Sequence, residues 1–312
     1  MEYILLIVGF VLLIKGADFF VDGAASIAGK LRVPALIIGL TVVSMGTSMP
    51  EAAVSISASL GGNNSLSLGN VIGSNIFNLL MVVGISAMIA PVVTDKEVLK
   101  RDLPVNIGIT VVLLLVLLDG SLSRWDGIAL LIIFAAYMFL LFKSAKQNQS
   151  EEDAPEQYSW LKSILLSVIG AGAIIGGGQL VVDSATTIAL SLGMGETLVG
   201  LTIVALGTSL PELVTSVVAA KKNEPGIAMG NAVGSCIFNI LFILGITGTI
   251  TPIAAEATFF VDVAVLIGVS VLMLVFAFTK RKTSRLEGAA CVLIYAAYTA
   301  YIIMRAYHIW IF

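Results

Sequence analysis

Two hexapeptides hold the residues most able to do chemistry: Gly46-Thr47-Ser48-Met49-Pro50-Glu51 and Gly207-Thr208-Ser209-Leu210-Pro211-Glu212, each set in an apolar run. A proline inside a helix lacks an N–H, and its ring crowds the carbonyl four residues back. Those carbonyls belong to Gly46 and Gly207, so each helix is expected to bend or open there and expose hard oxygen donors. Glu51 and Glu212 follow with carboxylates, and i,i+4 spacing predicts Thr47 above Glu51 and Thr208 above Glu212. Ser48 and Ser209 add hydroxyls in the same turn. Two further segments, GNVIGSNIFN (69–78) and GNAVGSCIFN (230–239), place Ser74 with Asn78 and Ser235 with Asn239 on shared helix faces. In the same segments Gly69/Gly73 and Gly230/Gly234 form small-xxx-small patterns that favour close helix approach.

The resulting donor set is all oxygen: two carboxylates, several hydroxyls, two amides and loosened carbonyls. Oxygen-only sites suit hard cations such as Ca²⁺, which takes six to eight oxygens, rather than zinc or copper. The single histidine, His308, and the two cysteines, Cys236 and Cys291, offer neither a soft-metal cluster nor a disulfide framework. No Lys or Arg adjoins either motif to neutralise its Glu, and a charge at a bilayer centre costs at least a few kcal/mol. One divalent cation, two or three Na⁺, or two protons would balance the pair. A site that accepts these loads in turn but avoids the empty state is the physical basis of exchange. Asn78 and Asn239 could instead hydrogen-bond across helices. Ser55 and Ser216, one turn past the glutamates, read as packing groups. Lys15 and Asp18 read as a pair or as snorkelling groups, and Asp22 and Asp183 as helix-end groups near opposite surfaces.

The elements that must position these groups are membrane helices. Of 312 residues 58% are hydrophobic and only 12% charged, against about one quarter charged in a soluble domain. A net charge of −3 gives no footprint for nucleic acid. Ten apolar runs are long enough to span, at approximately 3–28, 33–60, 66–90, 103–119, 124–143, 160–183, 196–220, 226–250, 257–279 and 286–307. Lipid offers no partners for backbone groups, so all ten are expected to be helical. The Met1-Glu2 start lacks a basic n-region, so residues 3 to 14 read as a retained helix rather than a leader. The loops joining odd-numbered spans to the next hold 14 of the 17 Lys and Arg, the opposite side only Arg124 and Arg305. That bias places the first set in the cytoplasm and both termini outside.

A shift of 161 residues superposes both motif pairs without a gap, giving 23 identities in 53 positions between 39–91 and 200–252. Apolar composition alone would give about five. The same shift pairs Asp22 with Asp183, and the RWDG before one span with the RLEG before another. The expected organisation is a first five-helix repeat at 1–143, a polar cytoplasmic linker at 144–159 and a second repeat at 160–312. Five spans is an odd number, so the second repeat must enter the membrane inverted. Inverted repeats place substrate sites near the midplane on discontinuous helices.

With its doubled GTS-x-PE and GN-x-x-GS-x-IFN segments, the chain resembles the cation/Ca²⁺ exchanger superfamily, and within it the compact prokaryotic Na⁺/Ca²⁺ antiporters. The resemblance covers all ten runs and both signatures. It implies an all-α, ten-helix, multi-pass protein of the prokaryotic cytoplasmic membrane, in which spans 1 and 6 slide past a rigid core. Its partners would be Ca²⁺, Na⁺ and the lipid bilayer, with the ions as cargo rather than resident cofactors and no obligate protein partner. By the same resemblance Glu51 and Glu212 are shared by Ca²⁺ and Na⁺. Thr47, Thr208, Ser48 and Ser209 contribute oxygens, Ser74, Ser235 and Asn78 complete flanking Na⁺ positions, and the carbonyls of Ser44 and Ala205 are further ligands. Some members, the K⁺-dependent exchangers among them, carry Asp where this chain has Asn239, which argues against K⁺ co-transport. Three rivals stand beside Na⁺/Ca²⁺ antiport: a Ca²⁺/H⁺ antiporter using the same glutamates, a cation channel, and an intramembrane enzyme. The last would need a catalytic pair that the two glutamates do not form.

Overall fold

The computed structural model describes residues 1–62, 64–147, 158–194 and 205–306. Linker residues 148–157, the start of the seventh expected span at 196–204, and His308 lie outside the described residues. The described residues are almost entirely helical. Among the described residues seven helices are long and apolar enough to cross a membrane, and a bent pair makes an eighth. The exposed surface is that of a protein in lipid: Ile132, Phe139, Phe278 and Leu293 point outward at 64 to 74% exposure, whereas Glu51, Asn78, Glu212 and Asn239 are wholly buried. With hydrocarbon as solvent, polar groups gather inside.

The bent pair is the first motif. A π-helical turn at Gly39–Val43 leads into α3 (Ser44–Thr47), and the helix breaks at Ser48, where ψ is 10°, before α4 (Met49–Leu60) resumes. The two arms meet at 48°, the bend expected from Pro50. The second motif repeats the break at Ser209 (ψ 6°), between α10 (Ala205–Gly207) and α11 (Leu210–Lys221). The helices bearing the Ser/Asn pairs, α5 (Asn64–Phe77) and α12 (Pro225–Phe238), each run into a π-helical turn that opens at the asparagine, Asn78–Val82 and Asn239–Ile243. Such wide turns re-aim side chains and recur at functional sites. Helix α12 lies tightly on the first motif: a Cβ at Gly230 would sit 2.8 Å from the Leu36 carbonyl, and one at Gly234 2.8 Å from Leu40 Cα. Gly69 and Gly73 make no such approach among the described residues, and most of the segment that would correspond, 197–205, lies outside them.

The 161-residue shift is visible in tertiary contacts, which exchange between halves. Val92–Val93 pairs with Lys282–Thr283, and Ser121–Leu122 with Ile253–Ala254. Arg285 donates to the Ile89 carbonyl as Arg124 donates to that of Ile250. The glycines closing RWDG and RLEG serve as contact points, a Cβ at Gly127 falling 2.7 Å from the Gly245 carbonyl and one at Gly288 2.5 Å from that of Gly84. Ser123 and Ser284 cap these helices through Asp126 and Glu287, at 2.6 and 2.7 Å.

Two long helices, α1 (Glu2–Leu31) and α9 (Trp160–Ser191), pack along each other. Their seam is built from glycines seven residues apart, Gly9, Gly16 and Gly23 on one side and Gly170 and Gly177 on the other. A Cβ at Gly170 would stand 2.6 Å from Phe20 N and 2.7 Å from the Gly16 carbonyl, so backbone touches backbone. Without a hydrophobic drive between helices in lipid, this close packing is what holds such a pair. Helix α1 is also tied to the end of α11, because Lys222 Nζ lies 2.7 Å from Asp22 and 3.4 Å from Asp18, while Lys15 adds a looser contact to Asp18 at 3.7 Å. Asp22 and Asp183 are therefore not helix-end groups, a correction to the reading from sequence. Both lie well inside their helices; Asp22 takes the Lys222 ammonium and Asp183 the Gln179 amide at 2.8 Å.

Candidate functional site

The two helix breaks face each other, and the hydroxyls cross between them. Ser48 Oγ donates to Glu212 Oε1 at 2.7 Å, and Ser209 Oγ donates to Glu51 Oε1 at 2.8 Å. Each carboxylate is thus gripped by the serine of the other motif. This corrects the expectation that hydroxyl and carboxylate would stack within one turn. The i,i+4 relation requires continuous helix, and the break at Ser48 and Ser209 swings the preceding hydroxyls across the interface instead. Thr47 follows the same logic: its hydroxyl donates to Asn231 Oδ1 at 2.9 Å and lies beside the Glu212 carboxyl rather than over Glu51.

Ser74 stands 3.5 Å from Glu51 Oε1 and 3.1 Å from Ser209 Oγ, and Ser235 lies beside Glu212 and 3.5 Å from the Ser44 carbonyl. The Ser44 carbonyl also accepts the Ser48 N–H at 3.0 Å. Asn78 and Asn239, Thr208, Ser209 and both glutamates are buried. Ala205 opens the short helix that leads to the second break.

What these groups leave unsatisfied defines the chemistry. Glu51 Oε2, Glu212 Oε2, Thr208 Oγ1, Asn239 Oδ1 and both polar atoms of Asn78 are buried without a hydrogen-bond partner among the described residues. Buried polar atoms are normally paired, and an unpaired one costs about 1–3 kcal/mol. Among the described residues neither glutamate touches a Lys or Arg; the ion pairs of the fold involve Asp18, Asp22, Asp102 and Asp262 instead. Among the described residues these unpaired oxygens surround two carboxyl groups that no Lys or Arg side chain meets.

Two residues absent from the reading of the sequence brace the site. Asn70 Nδ2 donates to the Glu51 carbonyl at 3.2 Å and to Ser55 Oγ at 2.9 Å. Asn231, 161 positions on, repeats this with the Glu212 carbonyl at 3.2 Å and Ser216 Oγ at 3.0 Å. These amides staple each glutamate-bearing helix to its Ser/Asn helix, and they give Ser55 and Ser216 the structural role expected of them. The signal was present, since both asparagines sit at the second place of the doubled GN-x-x-GS segments.

Comparison with known proteins gives this geometry a family. The family model described as sodium/calcium exchanger protein matches residues 1–143 and again residues 162–304, stretches displaced by 161 positions at either end. The chain is 33% identical over 339 residues to the sodium/calcium exchanger MaX1 of Methanosarcina acetivorans, covering 95% of this chain and 97% of that one. It is 39% identical over 264 residues to the inner membrane protein YrbG of Escherichia coli, covering 80% and 79%. A solved structure of the sodium-calcium exchanger NCX_Mj superposes with a TM-score of 0.86 at 36% identity, covering 96% of this chain and 98% of the other. The fold and the site together define a multi-pass membrane transporter rather than an enzyme. The chain belongs to the sodium/calcium exchanger protein family.

Proposed function

We propose that this protein is a secondary antiporter that exchanges Na⁺ for Ca²⁺ by alternating access and does so without K⁺. The observation that carries the reading is the pair of buried carboxylates, each held by the serine of the opposite motif and neither met by a basic group among the described residues. In this reading Glu51, Glu212, Thr47 and Thr208 bind Ca²⁺. Na⁺ takes the same carboxylates together with Ser48, Ser209, Ser74, Ser235, Asn78, Asn239 and the carbonyls of Ser44 and Ala205. Two carboxylates without a third support K⁺ independence, and the printed names of MaX1 and NCX_Mj support Na⁺ as the coupling ion. The proposed architecture is ten spans in two inverted five-helix repeats, 1–143 and 160–312, with a cytoplasmic linker at 144–159, both termini outside, in a prokaryotic cytoplasmic membrane. YrbG, by name an inner membrane protein, supports that location.

Protein reconstituted in Na⁺-loaded proteoliposomes is expected to accumulate ⁴⁵Ca when diluted into Na⁺-free medium, and to do so equally with or without K⁺. With three Na⁺ per Ca²⁺ one net charge crosses, worth about 2.3 kcal/mol per 100 mV, so an inside-positive potential should slow uptake of Ca²⁺ only if that ratio is wrong. Uptake indifferent to Na⁺ but driven by a pH gradient would replace the proposal with Ca²⁺/H⁺ antiport, and a flux without saturation or counter-ion would replace it with a channel.

A further inference from the structure

The two site amides are not held alike. Asn239 Nδ2 donates to Asn75 Oδ1 at 3.1 Å, and Asn75 Nδ2 donates in turn to the Cys236 carbonyl at 3.1 Å. Asn75 is fully buried. At the place 161 positions on from Asn75 the chain carries Cys236, whose thiol points to the Asn75 carbonyl at 3.6 Å and gives Asn78 nothing. Among the described residues Asn78 consequently keeps both polar atoms free, whereas Asn239 keeps only its oxygen.

The direction of this chain of bonds is forced. A backbone carbonyl only accepts, so the Cys236 oxygen must face the NH₂ group of Asn75. The Asn75 oxygen is then turned toward Asn239, which must answer with its own NH₂. The Asn239 oxygen is left as the one atom directed elsewhere, buried and unpaired. We infer that Asn75 is a positioning residue for the ion site: it locks Asn239 so that this amide presents an oxygen, never an N–H, to a bound cation. Asn78, lacking such a lock, can present either end. The two flanking positions are therefore a fixed neutral acceptor on one side and an adaptable amide on the other. This rests on the reading of the Glu51–Glu212 centre as a cation site.

A double-mutant cycle read by Na⁺-driven ⁴⁵Ca uptake separates positioning from mere packing. Asn75→Leu, which keeps the number and branching of side-chain heavy atoms though it is larger, is expected to raise the KM for internal Na⁺ about tenfold with the maximal rate within about twofold, as the loss of one oriented Na⁺ ligand would. Asn239→Ala should do the same. In Asn75→Leu/Asn239→Ala the KM should stay near tenfold, because Asn75 acts only through Asn239. Asn75→Ser, smaller and polar, runs alongside in case the leucine variant does not insert, with the same expected KM. A wild-type KM in the inserted Asn75 variants would overturn the inference, as would effects that multiply to about a hundredfold in the double variant. Glu51→Gln in the same assay keeps the two ideas apart. If it is inactive while the Asn75 variants behave as wild type, the inference alone fails; if it transports normally, the inference falls together with the site reading beneath it.

Discussion

Glu51→Gln and Glu212→Gln should each reduce Na⁺-driven Ca²⁺ uptake by about a hundredfold or more while the protein still inserts and purifies. A glutamine keeps the volume and the acceptor oxygen, so Ser209 or Ser48 can still donate to it, and the short bonds of 2.7 and 2.8 Å lose little more than their charge. What disappears is one of the two negative charges available to a cargo ion. At an effective dielectric of about 20, a pair of unit charges 4 Å apart is worth about 4 kcal/mol, or close to three decades in an equilibrium constant. The fold itself should not suffer, because each substitution removes a buried charge that has no Lys or Arg partner among the described residues. Transport near the wild-type rate in either variant, measured as ⁴⁵Ca uptake per reconstituted molecule, would rule out the proposed site. The two variants should also resemble each other, since the hydrogen bonds around the carboxylates are related by the same 161-residue shift.

Gly170→Val is the second substitution with a large expected effect, and it lies away from the ion site. A Cβ there meets Phe20 N at 2.6 Å and the Gly16 carbonyl at 2.7 Å, backbone atoms that cannot turn aside. Valine adds two further carbons, so α1 and α9 must part along the seam. Overpacking of this kind costs about 1–3 kcal/mol, and here it also uncouples the two helices that the family resemblance assigns to the sliding element. Transport is expected to fall about tenfold or more, with an earlier unfolding transition in detergent. Gly172→Val and Gly176→Val on the same helix are the controls: both glycines are exposed and a Cβ at either meets nothing within 4 Å. Those two variants should transport and melt as wild type does. If Gly170→Val matches them in both measurements, the seam does not hold the pair together.

The broad plan was legible in the sequence because its causes are local or periodic. Apolar runs longer than a bilayer, a repeat at constant offset, and prolines four residues after glycines each produce their structural effect wherever the chain goes. The bend at Ser48 followed from Pro50 alone, and the burial of Glu51 and Glu212 from their place in apolar runs. What was misjudged depends on orientation after the break. Helical spacing placed Thr47 and Ser48 with Glu51, but the interrupted helix turns them toward Glu212. In sequence Asp22 reads as a helix-end group because its partner, Lys222, is 200 residues away and falls among the loop charges. The glycine seam was missed for a different reason. Seven-residue spacing of Gly9 and Gly16 marks a line of contact only when a second helix carries the matching line, and Gly170 and Gly177 do so across half the chain. Asn75 shows the limit from the other side. Its importance comes from the departure at Cys236, where the two repeats differ, and a search for likeness passes over differences.

If mobile cations compete to compensate the charge of the two converging buried carboxylates, equilibrium ⁴⁵Ca²⁺ binding to the purified protein, titrated with Na⁺ at constant ionic strength, should reveal it with no membrane or gradient involved. Saturable Ca²⁺ binding is expected that Na⁺ displaces and K⁺ does not, and that Glu51→Gln and Glu212→Gln each abolish. Ca²⁺ binding that persists in either variant, or that Na⁺ leaves untouched, would contradict it.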